Sequence, residues 1–179
     1  MTPQNIIQFW FEEIDKKLWF AKNDEFDHTL RTRFGELYRQ TFQCENHHWR
    51  ATAEGRLAEI LILDQFPRNM FRDKPESFAS DNLALALAQE AVAKGEDQKL
   101  PPERRAFLYM PYMHSESALI HKEAVLLFSQ KGLEFNLDFE MKHKAIIDRF
   151  GRYPHRNKVL GRTSTHEETE FLKTAGSGF

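Results

Sequence analysis

The feature that most constrains this chain is a helical spacing of apolar residues that recurs along almost its whole length. The clearest stretch repeats at three and four residues and comprises Phe26, Leu30, Phe34, Leu37, Tyr38 and Phe42. That spacing places the apolar side chains on one face of a helix of about 20 residues. No segment alternates apolar and polar residues between two turns, so no β-sheet is expected. The sequence predicts an all-α fold class.

Start and stop signals divide the chain into about seven to nine helices with short connections. Thr2 and Pro3 predict a first helix that runs to about Glu13. Further starts are predicted at Thr52, Ser80, Pro101, Ser115 and Asn136, and by two capping boxes, Ser164-x-x-Glu167 and Thr165-x-x-Glu168. Helix ends are predicted at Gly95, Gly132 and Gly151.

Two prolines predict further interruptions. Pro67 disfavours the helical conformation of Phe66, so the helix that starts at Thr52 is expected to end at Phe66. Pro111 is expected to end or kink the helix before it. The tail, residues 175–179, is expected to fray unless Phe179 docks on the fold.

Length and charge are those of one folded domain with no generic affinity for nucleic acid. A single domain is expected over residues 1–179, and a chain of this length buries about 70% of its unfolded surface without disulfides or metals. Lys and Arg total 25 against 27 for Asp and Glu, a net charge of −2. Because nucleic-acid binders carry a basic excess, nucleic acid is not an expected partner.

Cysteine usage and apolar runs favour a cytoplasmic protein with no membrane partner. Cys44 is the one cysteine, so an intrachain disulfide is impossible, which fits a reducing compartment. No basic segment precedes the first apolar cluster, as a secretory signal requires. The apolar run at residues 60–63 is far shorter than the ~20 residues that span a bilayer. The sequence does not decide the oligomeric state.

Polar residues on apolar helix faces mark a candidate site. Asp64 lies four residues after Ile60, and His143 lies four before Ile147, so both are predicted to face the core. Glu116 begins a similar stripe. A buried charge costs several kcal/mol unless it is paired, so each of these residues requires a partner.

A basic, turn-rich segment supplies candidate partners. Between Lys142 and Arg162 there are seven cations and one anion, Asp148. Arginines that project from a turn suit a phosphate or a carboxylate. A solvated basic face is the alternative, but Phe150 and Tyr153 interleave the charges and predict that the segment is anchored in the fold.

His114 and Glu116 are the third candidate pair. A histidine and a carboxylate are suited to acid–base work, but they equally suit a helix cap and a complement to the helix dipole. His114 and His121 are seven residues apart, two helical turns, which is too far for one metal ion. No metal site and no cofactor are expected, because no zinc, phosphate-loop or dinucleotide motif is present.

Three stretches resemble the motifs of a widespread, mainly bacterial family, the domain of unknown function 924. They are residues 63–69 (LDQFPRN), 110–116 (MPYMHSE) and 149–157 (RFGRYPHRN), and the likeness continues through residues 160–172. The resemblance covers essentially the whole chain without a clear departure. It implies one compact all-α domain of the TPR-like superfamily, a right-handed helical array. The family brings no established activity, so it implies a fold and a set of motif positions.

The polar motif residues, each at a helix end, predict a pocket for a small anionic ligand that bears a phosphate or carboxylate. The candidate ligand-binding residues are Asp64, Arg68, Asn69, His114, Glu116, His143, Arg149, Arg152, His155, Arg156 and Asn157. The arginines would clamp the anion, and one of the histidines would transfer a proton if the site is catalytic. The residues do not decide whether the protein is an enzyme.

Two other interpretations stay open. TPR-like folds often hold peptides, so the basic segment would suit an acidic or C-terminal peptide of a protein partner in an open groove with exposed aromatic residues. Alternatively, the motifs form buried salt bridges that only specify helix packing. An enclosed cavity between the three motifs favours the small ligand.

Overall fold

Helices supply the regular structure throughout the part of the chain that the structure describes. In the computed structural model, residues 1–178 contain nine α-helices and no strand. The helices are α1 (Pro3–Gln8), α2 (Asp24–Phe42), α3 (Ala53–Ile60), α4 (Phe66–Met70), α5 (Asp81–Ala93), α6 (Pro102–Met113), α7 (Ala118–Phe128), α8 (Glu134–Phe150) and α9 (His166–Phe171). The predicted all-α fold and helix number are confirmed. The expectation for Phe179 falls outside the described residues.

Short π and 3₁₀ turns extend or join these helices. The π turn Phe9–Glu13 continues α1 to the predicted end of the first helix, and the π turn Leu61–Gln65 joins α3 to α4. The 3₁₀ turns are Lys16–Trp19, His47–Ala51, Pro75–Phe78, Asp97–Lys99 and Pro154–Arg156. None of the helices in residues 1–178 combines the length and apolar composition needed to cross a bilayer.

Capping side chains explain several helix ends. The Thr2 hydroxyl accepts a hydrogen bond from the Asn5 N–H, and the Asn5 side chain accepts one from the Thr2 N–H. Thr165 and Glu168 form the same reciprocal box at the start of α9, as predicted. Gly151 ends α8 with a φ of 68°, the left-handed conformation that glycine adopts without steric cost.

Neither internal proline ends its helix, which contradicts the prediction for Pro67, while the alternative of a kink at Pro111 stays a prediction. Pro111 lies inside α6. Pro67 lies in the first turn of α4, where a missing N–H costs little. Because Pro67 cannot donate to the carbonyl of Leu63, four residues earlier, that carbonyl accepts a hydrogen bond from the Ser80 hydroxyl instead. The helical segment formed by α3, the π turn Leu61–Gln65 and α4 therefore continues past Pro67 and through Arg68.

Two helix starts also differ from the prediction. The Ser115 hydroxyl accepts the N–H of Ser117 in a turn ahead of α7, so the helix begins after Ser117. α8 begins at Glu134, two residues before the predicted cap Asn136. The later start of α7 lengthens the irregular connection between α6 and α7. The earlier start of α8 shortens the connection between α7 and α8.

The core forms around α3, which is buried on every side and packs against α1, α5 and α6. A cluster of buried aromatic rings fills the space between α3 and its neighbours and includes Phe9, Trp10, Phe34, Phe66 and Phe107. The buried Glu59 is paired with Arg50, whose Nε lies 2.8 Å from Oε2. On the other side of the molecule α7 packs between α6 and α8.

Candidate functional site

A cavity of about 510 Å³ opens where the three polar motifs meet. Its polar lining includes Arg68 and Asn69 from α4, His114 from the end of α6, His143 from α8, and His155 and Arg156 from the turn between α8 and α9. A smaller recess of about 240 Å³ adjoins it and shares His114 and Arg156.

Asp64 lies behind the cavity lining, fully buried, and holds the imidazole of His114. His114 Nδ1 and Asp64 Oδ1 are 2.7 Å apart, and Arg68 Nη2 donates to the same oxygen at 3.3 Å. The Gln65 amide donates to Oδ2 at 2.6 Å. Burial opposes ionisation, but His114 and Arg68 together keep the pKa of Asp64 below its usual range. Asp64 is therefore a carboxylate with three partners.

His114 presents an unprotonated nitrogen. Burial, followed by the charge of Arg68, lowers the pKa of His114, so the ring is neutral at pH 7. Because the Asp64 carboxylate can only accept, the ring proton lies on Nδ1 and Nε2 carries a lone pair. No group within residues 1–178 hydrogen-bonds to this Nε2. A carboxylate that orients an imidazole in this way is the arrangement found in general bases.

Arg68 and Arg156 share one carboxylate, that of Asp81. Arg68 Nη2 donates to Asp81 Oδ1 at 2.9 Å, and Arg156 Nη1 donates to Oδ2 at 3.2 Å. Both guanidinium groups lie over the ring of Phe78, at 5.5 and 4.6 Å from its centroid. The buried Nε of each arginine has no hydrogen-bond partner within residues 1–178.

The two arginines are compensated unequally: burial disfavours the charge of Arg68, but Asp81 and Asp64 outweigh it and raise the pKa of Arg68, whereas Arg156 is less well compensated. The Arg156 side chain is only 7% exposed, and Arg156 Nη2 is also held by the His114 carbonyl at 3.1 Å. Burial and then repulsion by Arg68 lower the pKa of Arg156, even with Asp81 close by. An added anion would relieve that repulsion.

Two more histidines on the lining are neutral at pH 7. Burial lowers the pKa of His143 to about 3, and its Nδ1 donates to the Phe139 carbonyl at 2.8 Å. Burial, with the charges of Arg156 and Arg68, lowers the pKa of His155 to about 4. The Nδ1 of His155 is buried without a partner among the described residues.

A separate network holds the C-terminal segment on the fold. Arg162 donates two hydrogen bonds to the Glu116 carboxylate, at 2.6 and 2.9 Å, and a third to the Asn157 side chain at 2.9 Å. Glu116 also accepts the backbone N–H of Tyr153 at 2.7 Å. These bonds engage both oxygens of the Glu116 carboxylate and the guanidinium group of Arg162, so the network holds the C-terminal segment in place.

A second histidine–carboxylate pair is closed off from the cavity. His121 and Glu140 are both completely buried, with His121 Nδ1 2.7 Å from Glu140 Oε1. The other ring nitrogen lies 2.8 Å from the Ser115 carbonyl and 3.2 Å from the Tyr153 hydroxyl. Within residues 1–178 no group of three His, Cys, Asp or Glu side chains is arranged to hold a metal ion.

Comparison with known proteins identifies the family. A family described as "Bacterial protein of unknown function (DUF924)" matches residues 6–176. The chain belongs to this family. A solved structure of a protein of unknown function from Agrobacterium tumefaciens is similar to it, with 36% sequence identity and a TM-score of 0.90 over 96% of each chain. No curated protein matches the chain significantly. The resemblance to DUF924 predicted from the three motifs is confirmed.

Seven of the eleven candidate residues, six of them from the DUF924 motifs and His143 from α8, meet at the cavity. Six line it, namely Arg68, Asn69, His114, His143, His155 and Arg156, and Asp64 is bonded directly behind them. Asn69 is partly committed, because its amide donates to Asp27 Oδ1 at 3.0 Å. Glu116 lines the smaller recess only.

The remaining three candidates, Arg149, Arg152 and Asn157, do not line the cavity, in contrast to the expectation that all eleven converge there. Arg149 is 52% exposed and pairs with Glu167 on the surface. Arg152 donates twice to Glu168, at 2.6 and 2.8 Å, and holds its pKa at about 2. Asn157 is fully buried in the Arg162 network. Each of these side chains is already occupied by a partner within the C-terminal segment.

Two residues of the site have no distinctive signal in the sequence. Asp81 reads as an ordinary acidic residue in the first turn of a helix, and Phe78 reads as a core residue. Only the packing of α5 beside α4 shows that Asp81 lies between the two arginines. The DUF924 motifs omit both positions, so the resemblance does not indicate them either.

Proposed function

We propose that the protein binds a small anionic ligand, one that carries a phosphate or a carboxylate, at Arg68 and Arg156. The observation that carries this proposal is two buried arginines that line one cavity and share a single carboxylate, that of Asp81. An anion would supply acceptors and would reduce the repulsion between the two guanidinium groups. Asp64 offsets part of the positive charge, but it is also committed to His114.

The shape of the site favours a small molecule over the alternative, a TPR-like module that binds an acidic or C-terminal peptide. A cavity of about 510 Å³ lies within the usual range for small-ligand sites. A peptide groove would run open across several helices. The exposed rings of Phe20 and Phe135 on the lining are a feature that this alternative also predicts.

Calorimetric titration with inorganic phosphate and with acetate tests the proposal. We expect binding to the wild-type protein, loss of binding in Arg156→Gln, and unchanged binding in Arg149→Gln, which removes an arginine of the same motif outside the cavity. Thermal unfolding of each variant shows whether the fold is kept. If the wild-type protein binds neither anion and Arg156→Gln only lowers the melting temperature, the motif is a packing network. Preferential binding of an acidic peptide would support the interaction module.

The Asp64–His114 pair favours catalysis as a second candidate function. Its neutral imidazole has an available Nε2 beside the proposed anion site, so it suits proton abstraction from a bound ligand or water. Hydrolysis of 4-nitrophenyl phosphate or 4-nitrophenyl acetate is a direct assay. A catalytic role predicts that His114→Gln keeps anion binding and loses turnover. Equal rates in the variant and the wild type would contradict it.

We also propose that the protein is bacterial and cytoplasmic and that its helices pack in a TPR-like array. Cys44 is free and exposed, which suits a reducing compartment. The relative from Agrobacterium supports a bacterial source, and the succession of paired helices is compatible with a TPR-like array.

A further inference from the structure

We infer that the anion is the head of an amphipathic ligand whose body is an apolar acyl or aryl group. This inference rests on the proposed anion site and names the class of molecule that would occupy the rest of the cavity. The candidates are carboxylates or phosphates with a hydrocarbon body, as opposed to free inorganic anions or sugar phosphates.

The lining beyond the arginines and histidines is largely apolar. It is formed by Trp19 and Phe20, by Met110 and Met113, and by Phe135 and Phe139. These pairs come from three different parts of the fold, the turn after α1, the end of α6 and the start of α8. Methionine side chains are flexible and polarisable, and so adapt to apolar ligands of different shape. A bare phosphate would leave this surface in contact with water.

Two aromatic rings on the lining are left in solvent. Phe20 and Phe135 are each 69% exposed, although apolar partners are available to both. Phe135 rests on Phe139 with ring centroids 4.9 Å apart, and Phe20 lies 6.4 Å from Trp19. Exposed aromatic surface beside a cavity is the kind of surface that an apolar ligand buries favourably.

Three of the polar side chains on the lining, Gln65, Asn69 and Ser77, have their donors engaged within the protein. The Gln65 amide donates to Asp64, and the Asn69 amide donates to Asp27. The Ser77 hydroxyl donates to the Phe71 carbonyl. These three side chains would therefore not serve the hydroxyl groups of a sugar or nucleoside body as donors, whereas a hydrocarbon body requires none.

The test is a calorimetric series in which head and body vary separately. Acetate, butanoate and hexanoate lengthen the body, hexanamide removes the charge, and phenyl phosphate and glucose 6-phosphate compare an apolar with a hydroxylated body. Each buried methylene should tighten binding by up to about fourfold.

Phe135→Ala should weaken hexanoate at least fivefold and leave inorganic phosphate unchanged. Leu126→Ala is the matched control, because Leu126 is 73% exposed on α7 and does not line the cavity.

Each contrary outcome has a distinct meaning. If hexanoate binds no tighter than acetate, or glucose 6-phosphate binds as tightly as phenyl phosphate, the amphipathic ligand is ruled out and the anion site stands. If hexanamide binds as tightly as hexanoate, the anion site itself is overturned, and the cavity recognises apolar groups alone. Equal losses in Phe135→Ala and Leu126→Ala would also overturn the inference, since the effect would not be local to the cavity.

Discussion

At the scale of single residues, Asp64 shows how a charge is kept inside this fold. A carboxylate with no exposed surface is costly, and three donors compensate for it: His114, Arg68 and Gln65. The same three bonds orient His114 and position Arg68, so the buried charge organises both the proton-transfer candidate and the anion-binding candidate.

Replacing Asp64 tests that organisation. Asp64→Asn keeps the size of the side chain but leaves Arg68 with one carboxylate and His114 with none. Breaking a buried pair costs about 3–5 kcal/mol, which corresponds to a fall in melting temperature of roughly 6–20 °C for a domain of this size. Glu36→Gln is the control, because it removes an exposed pair with Arg39 and should change little. A fall below about 2 °C for Asp64→Asn would contradict the account.

The buried His143 predicts a loss of stability in mild acid. Its pKa is about 3 in the folded protein, against about 6.5 in an unfolded chain. As the pH falls below 6.5, the unfolded state takes up this proton and the folded state does not. The free energy of unfolding should therefore fall by up to about 1.4 kcal/mol per pH unit from this residue.

Urea denaturation between pH 7.5 and pH 5.5 measures this contribution, above the range in which most carboxylates titrate. The slope of stability against pH should be shallower in His143→Gln than in the wild type below pH 6.5, and equal above pH 7. Identical slopes over the whole range would show that the pKa of His143 is the same in the folded and unfolded states, which contradicts the lowered pKa.

At the scale of elements, the path from α3 to α4 depends on a π turn and a proline. Helical spacing places Asp64 correctly on the core side, but the π turn Leu61–Gln65 allows this helical segment to continue past Pro67. Ser80 supplies the hydrogen bond that Pro67 cannot. This exchange between two distant positions carries no local sequence signal.

A double-mutant cycle tests the exchange. Ser80→Ala leaves the buried Leu63 carbonyl unsatisfied, which should cost about 1–3 kcal/mol. Pro67→Ala restores an N–H four residues after Leu63, so the double variant should be more stable than the sum of the two single changes predicts. Additive changes in urea denaturation would show that the two positions do not share this carbonyl.

The start of α3 depends on a close approach at Gly55. A Cβ at Gly55 would lie 1.9 Å from the carbonyl oxygen of Trp49. Gly55→Ala must displace the His47–Ala51 turn, so it should lower the melting temperature by several degrees. Gly35, inside α2, has nothing within 4 Å of its own Cβ position. Gly35→Ala should instead stabilise the protein by about 0.5–1 kcal/mol, and equal effects of the two changes would contradict the packing described.

At the scale of the whole molecule, the fold is predictable because burial on helical faces repeats along the entire chain. The helix starts are less predictable, since Ser115 and Asn136 have good capping side chains but neither is the residue at which its helix begins. Features without a local sequence signal, such as the π turn, depend on contacts between segments that are far apart in the sequence.

The site is predictable only in part, because the contacts of its residues also depend on packing between distant segments. Arg156 and Arg149 look alike in the sequence, yet one is buried beside Asp81 and the other is paired on the surface. Residue type and density indicate a basic segment, whereas the partner of each arginine depends on how α5 and α9 pack. Asp81 is missed because its local context is that of any first-turn acid.

The most direct test of the anion site is the position of an anomalously scattering anion in crystals of the protein. Crystals soaked with selenate should show their strongest anomalous peak, which marks the selenium atom, within about 4–5 Å of the guanidinium groups of Arg68 and Arg156, one Se–O bond beyond hydrogen-bond distance. Peaks confined to exposed arginines such as Arg149, with none in the cavity, would contradict the account.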